Sequence, residues 1–209
     1  MRKLLLLLCA YGSFAGAAET ADLHAYFPMD KGFTWTYDTL HKPDGKHFDM
    51  KVTIADTWTD GDAADAPHGV IMKQKDERGT MREFLVEKSG GIFIHRLGLS
   101  KSYTPEVFSR FTPDVPRVIA PLTPGVHVEW QGTLKAAGVV NKKIKFSGTV
   151  VGWEDVKVPA GTFHCIKLFY DQYRDDQHVQ EYAWYADGVG QVKYDGGEYV
   201  KELKEFKKP

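Results

Sequence analysis

Cysteine is nearly missing from this chain: among 209 residues only Cys9 and Cys165 carry a thiol. Cys9 falls in an N-terminal segment that reads as removable, so Cys165 is left alone and an internal disulfide cannot form. Stability must come from an apolar core. Long apolar runs are missing as well. The longest, Leu4 to Ala10, falls well short of the ~20 residues that a membrane-spanning helix requires. Neither sign of charge dominates, since 27 Lys and Arg face 28 Asp and Glu. Such a balance lacks the basic face that nucleic-acid binding needs. Catalytic signatures are also wanting: there is no H-E-x-x-H, G-x-S-x-G, P-loop or dinucleotide glycine fingerprint. Gly188-Val189-Gly190 lacks a third glycine and leads into a strand-like run, so it is not a phosphate cradle.

The N-terminus carries the most specific pattern. Arg2 and Lys3 precede the run Leu4 to Ala10, and small residues follow, ending in Ala15-Gly16-Ala17-Ala18. A basic start, a short apolar middle and an A-x-A-like exit define a secretory signal peptide, cut after Ala17 or Ala18. The expected organisation is a signal peptide over 1–18 and one β-rich domain over 19–209. The expected location is outside the inner compartment, periplasmic or secreted. Removing 1–18 takes two basic residues and no acidic ones, leaving a net charge of about −3. Cys9 is a poor acylation site, because Leu8 precedes it where a lipobox has a small residue.

Most of the body alternates apolar and polar residues with period two, the pattern of half-buried strands. Phe33, Trp35 and Tyr37 share one face, and Met50, Val52 and Ile54 repeat the pattern after the turn Lys42-Pro43-Asp44-Gly45. Val70–Gln74 and Met81–Val86 flank the hairpin turn Asp76-Glu77-Arg78-Gly79, and Ser89-Gly90-Gly91 leads into Ile92–Leu97. Between Tyr103 and Gly125 stand Pro105, Pro113, Pro116, Pro121 and Pro124. Proline removes a ladder donor, so this stretch reads as a long excursion with a helical turn around Glu106–Arg110. Strands resume around Val126–Gln131, Ile144–Val150, Phe163–Tyr173, His178–Tyr185 and Gln191–Asp195. Glu198–Phe206 also fits helical spacing, but its Gly196-Gly197 lead-in and aromatic content favour a strand. Ten or so strands with short connections predict antiparallel pairing.

Three segments resemble a known group of exported bacterial proteins. Tyr26-Phe27-Pro28 with Gly32, Trp35 and Tyr37 resembles their opening, Val156-Lys157-Val158-Pro159-Ala160-Gly161-Thr162-Phe163-His164-Cys165-Ile166 their central signature, and Trp184 to Tyr194 their closing hairpin. The chain is similar over residues 26–206 to the TapB-like domain of unknown function. That resemblance implies a distant kinship in fold with the LolA and LppX lipoprotein carriers, and fold alone transfers no function.

Candidate chemistry is sparse. Cys165 adjoins His164, but neighbours on a strand point to opposite faces, so they make no nucleophile pair. His41 and His47 flank the first hairpin, and His127, His164 and His178 sit on separate strands. None shows the paired spacing of a structural metal site, so no metal is expected. Asp171, Asp175 and Asp176 with Arg174 read as a charged hairpin tip. No cofactor is called for.

The expectation is therefore a mainly β chain, its antiparallel sheet curved into an open or half barrel, with little helix and the Pro-rich excursion covering the concave face. Functionally it reads as a non-catalytic cell-envelope protein with a cleft for an apolar small molecule or lipid. Phe33, Trp35, Tyr37, Trp130, Phe146 and Trp184 are the expected lining residues. Taken one at a time, Trp35, Trp153 and Trp184 read first as core anchors, each burying on the order of 200 Å². The alternative is an interaction module that docks an envelope protein through a strand edge or loop. A hydrolase assembled from distant carboxylates or histidines comes third.

Overall fold

A computed structural model describes residues 20–63, 66–101, 104–136, 142–174 and 177–209. Residues 1–18, read above as a signal peptide, and Tyr103, Asp175 and Asp176 lie outside the described residues. The only helix among them is α1 (Leu23–Tyr26), capped by Asp22, whose side chain accepts from the His24 N–H. Twelve strands follow: β1 (Thr34–His41), β2 (Lys46–Thr59), β3 (His68–Asp76), β4 (Gly79–Lys88), β5 (Gly91–Lys101) and β6 (Val107–Ile119), then β7 (His127–Ala136), β8 (Lys142–Val158), β9 (Gly161–Arg174), β10 (Gln177–Ala186), β11 (Gly190–Gly196) and β12 (Tyr199–Lys207).

Each strand pairs antiparallel with the next, and β1 pairs with β12 from Thr34↔Lys207 to His41↔Tyr199. The mainly antiparallel β architecture agrees with the alternation in the sequence. The curvature goes further than an open or half barrel, since the sheet closes on itself. Closure leaves neither the first nor the last strand as a free edge of the kind a docking module would extend.

The proline-rich middle is corrected more sharply. It is no excursion, and Glu106–Arg110 forms no helical turn: Val107–Ile119 is β6, part of the wall. The reason lies in where its ladder ends. β6 bonds to β7 only over Ser109–Thr112, opposite Ala136–Thr133. Pro113 and Pro116 fall just beyond, where no N–H is owed to β7. Pro116 still aligns with Phe93 of β5.

The C-terminal ends of β1, β3, β5, β7, β9 and β11 and the N-terminal ends of β2, β4, β6, β8, β10 and β12 gather at one end of the barrel, here the upper end. The lower half is packed solid. Ile54, Leu85, Ile92, Val118, Ile119, Leu122, Val150, Ile166, Leu168 and Leu203 are all fully buried. The segment entering β1 stoppers that end. Phe27 is buried against Tyr185 at 6.0 Å, Ala25 O accepts the Gly188 N–H at 2.9 Å, and Ala21 bridges Leu122. One lower turn depends on glycine for space: a Cβ on Gly91, which has φ 134°, would stand 2.0 Å from the Val118 carbonyl oxygen.

The outer wall is charged. Lys51, Lys73, Lys75, Glu129, Lys135, Lys143, Lys145, Lys204 and Glu205 are exposed on strands around the barrel. A barrel facing lipid instead carries an apolar outward band.

Candidate binding cavity

Above the packed half, the barrel interior opens into a cavity of about 1270 Å³, reaching from the middle of the barrel to the upper strand ends. That exceeds the ~300–1,000 Å³ of most small-molecule sites. Met50, Met81, Ile94, Leu97, Phe111, Val115, Ile144 and Phe146 provide apolar wall on several strands. Leu99 and Val107 stand at the rim, 47% and 46% exposed. Exposed apolar side chains at a mouth suit the passage of an apolar guest.

The floor is polar and closely bonded. Arg117 of β6 meets Glu83 of β4 at 3.0 Å and donates to the Tyr185 hydroxyl at 3.1 Å. Gln74 donates to the other Glu83 oxygen at 3.0 Å, and Gln191 Nε2 to Tyr185 at 3.3 Å. Tyr37 donates to Gln191 O at 2.7 Å, and Tyr170 to Arg117 O at 3.1 Å. Buried charges persist when paired and bonded in this way. Burial pushes the Tyr37, Tyr170 and Tyr185 hydroxyls upward, so all three stay neutral: Tyr37 and Tyr170 donate, and Tyr185 accepts from Arg117 and Gln191.

Lys201 of β12 has a different environment. It lines the same cavity, is 9% exposed, and its Nζ lies 4.5 Å from the centre of the Tyr194 ring. Burial pulls its pKa from 10.5 down to about 8, with Arg117 adding to that pull and Glu83 and Glu181 opposing it.

The six expected lining residues are dispersed. Phe146 lines the large cavity and packs on Tyr170 at 5.3 Å. Trp35 and Tyr37 lie below the floor, around a separate void of about 20 Å³, and Trp35 Nε1 donates to Val189 O. Phe33 is stacked on Trp35 at 5.7 Å, outside the cavity. Trp130, opposite Phe146 in the β7–β8 ladder, packs with Phe111, Val115 and Ile144 and does not line the cavity. Trp184 lies on the outer side with Tyr182, between Lys167 and Lys193, and donates to Glu154. Trp35 and Trp184 are thus core and shielded-surface anchors, and Trp153 stacks on His164.

The remaining candidates separate. His164 is exposed and pairs with Asp155, whereas Cys165 is fully buried, its thiol pushed up to about 12 by burial. His41 bonds Asp44, His47 bonds Asp38, His127 bonds Thr149 and His178 bonds Asp171, so these four do not converge. The most enclosed imidazole is one that sequence reasoning passed over. His95 is buried beneath Trp58 on the outer side, between Asp114 at 2.9 Å and Asp60 at 3.1 Å.

Sequence reasoning also missed Gln74, Glu83, Arg117 and Lys201. Their signal is a polar residue in the apolar phase of a strand: Met72-x-Gln74, Met81-x-Glu83-x-Leu85, Val115-x-Arg117-x-Ile119 and Tyr199-x-Lys201-x-Leu203. Such a break in phase marks a polar group turned inward.

Fold and cavity together define a class: a closed antiparallel β-barrel, stoppered at its lower end and hollow above. A family model described as DUF3108-like matches residues 130–202, which run from β7 to β12. Among solved structures, the chain is similar to a protein from Bacteroides fragilis described as exported and of YmcC-like fold. The identity is 17%, the match covers 88% of this chain and 99% of that one, and the TM-score is 0.50. A second match, to a protein from Parabacteroides distasonis described as a lipoprotein, has 14% identity, 90% and 100% coverage and a TM-score of 0.44. No curated protein matches the chain. The likeness to the Bacteroides structure concerns fold alone.

Proposed function

We propose that this chain is a non-catalytic binding protein of the cell envelope that holds a largely apolar, lipid-like ligand inside its barrel. The observation that carries the reading is the cavity of about 1270 Å³, with apolar walls and a rim bearing Leu99 and Val107. Apolar wall left facing water in an open cavity forgoes burial energy that an apolar guest would recover. The envelope assignment rests on the basic-apolar-small pattern of residues 1–18, and the descriptions of the two structural neighbours as exported protein and lipoprotein accord with it. The TapB-like and LolA-like kinship is likewise part of this proposal.

Native mass spectrometry of the protein purified from its own envelope, set against a denatured sample, tests the reading. The expected result is a mass excess that disappears on denaturation. A bare mass, together with failure of the purified protein to take up an apolar fluorescent probe, would overturn it.

A further inference from the structure

We infer that the ligand carries an anionic head group, a carboxylate or a phosphate, and that Lys201 receives it inside the barrel. The inference rests on the proposed binding of an apolar-bodied ligand and adds to it the chemistry of the ligand's polar end.

The charge lining the cavity is uneven. Five cations, Arg78, Lys101, Arg117, Arg174 and Lys201, face three carboxylates, Asp76, Glu83 and Glu181. The whole chain, by contrast, has a net charge of −1. The carboxylates are already engaged: Asp76 with Arg78, Glu83 with Arg117 and Gln74, and Glu181 with Gln172 Nε2 at 3.0 Å. Lys101 and Arg174 stand exposed near the mouth. Lys201 is the deep cation left over. It is nine-tenths buried, and among the described residues no carboxylate oxygen lies within 4.0 Å of its Nζ. Its contact is the face of Tyr194, which bonds no proton of the ammonium in the way an oxygen would.

A second unmet group stands at the same point of the wall. Thr39 of β1 pairs directly with Lys201 in the β1–β12 ladder; it is fully buried, its Oγ1 has no hydrogen-bond partner, and it does not itself line the cavity. Buried polar groups are nearly always bonded, so a deep ammonium that lines the cavity with no carboxylate on it marks a place where a guest's oxygens belong. A buried cation also prefers an anion to a neutral oxygen, because a charge-assisted bond in a dry site is the stronger one. At neutral pH the amine is still mostly charged, its pKa being about 8. Apolar walls around one such cation describe a receptor for an amphipath with an acidic end.

The test uses four twelve-carbon probes below their micelle-forming concentrations: dodecanoate, dodecyl phosphate, dodecanol and dodecylamine. Each is titrated at neutral pH into the purified protein and its Lys201→Gln and Lys201→Arg variants, with circular dichroism confirming that each variant is folded. The expected result is that one or both anions bind about 10-fold or more tighter than the alcohol, with the amine weakest. Lys201→Gln should remove that margin and leave dodecanol binding unchanged, and Lys201→Arg should keep part of it. The two anions, compared with each other, tell a carboxylate ligand from a phosphate one. Equal binding of all four probes would overturn the head-group inference and leave the apolar cavity standing. An anion preference that survives Lys201→Gln would overturn the role of Lys201. Binding of none would sink the binding reading itself.

Discussion

Replacing Lys201 with methionine tests the energetics of the barrel interior through the pH dependence of stability. In the folded protein the ammonium gives up its proton at about 8, against 10.5 for an ordinary lysine. A difference of that size is worth about 3 kcal/mol. Below pH 8 both the folded and the unfolded side chain are protonated, and the fold bears the full cost of a buried charge. Between about 8 and 10.5 the folded side chain is neutral while the unfolded one still binds a proton, so stability rises with pH and the cost fades. Lys201→Met should therefore be more stable than the parent near pH 7, with the advantage shrinking by about 3 kcal/mol on approach to pH 10.5. Burial also pushes Tyr37 and Tyr194 upward, so the parent and the variant alike lose stability once unfolded tyrosine ionises, and the difference between them cancels that loss. Urea unfolding followed by tryptophan fluorescence, at several pH values on ligand-free protein, measures the difference directly. A gap between the two proteins that stays level from pH 7 to pH 10.5 would refute the reasoning, because it would mean that Lys201 is solvated rather than buried.

Other perturbations probe other parts of the molecule. Arg117→Met leaves Glu83 buried beside Gln74 with its cation gone; the expected loss is about 3 kcal/mol, a fall in Tm of roughly 6–12 °C, and a change of less than 2 °C would contradict the polar floor. Cys165 is buried with its thiol pushed up to about 12, so a thiol reagent at neutral pH should label it only after denaturation; rapid labelling of the native protein would show that the site is open. Gly91→Ala forces a Cβ towards the Val118 carbonyl at φ 134° and should destabilise by roughly 1–3 kcal/mol, whereas alanine at Gly45, where nothing lies within 4 Å, meets no steric contact and should cost less in the same thermal melt.

What could be read from the sequence follows from what each kind of pattern encodes. Alternation in Thr34–Tyr37 and in Met50–Ile54 is local, and it correctly gave β1 and β2 with the turn between them. The turn at Asp76–Gly79 and the reversal at Gly188–Gly190 fell where the hairpins form. The proline-rich stretch misled because a proline's missing N–H matters only on a side where a neighbouring strand needs it, and the end of the β6–β7 ladder at Thr112 is a property of the assembled sheet. Closure was equally hidden, since nothing near Thr34 shows that its partner is Lys207. The cavity was harder still. Aromatic residues attracted notice as lining, yet Trp35 and Phe33 fill the solid half, and of the six only Phe146 reaches the hollow. The residues that mark the interior are polar ones in apolar phase, such as Lys201 between Tyr199 and Leu203.

The seam between β1 and β12 also sets an order of events. Every other ladder joins strands consecutive in the chain, so hairpin after hairpin can zip locally as the polypeptide becomes available. The seam alone joins residues as distant as Thr34 and Lys207, and contacts of such separation form late because their loop must first be closed. A chain lacking β12 would hold eleven strands in a sheet with two bare edges, open to pairing with another chain. The last nine-residue strand therefore acts as the latch that turns an adhesive ribbon into a self-contained vessel.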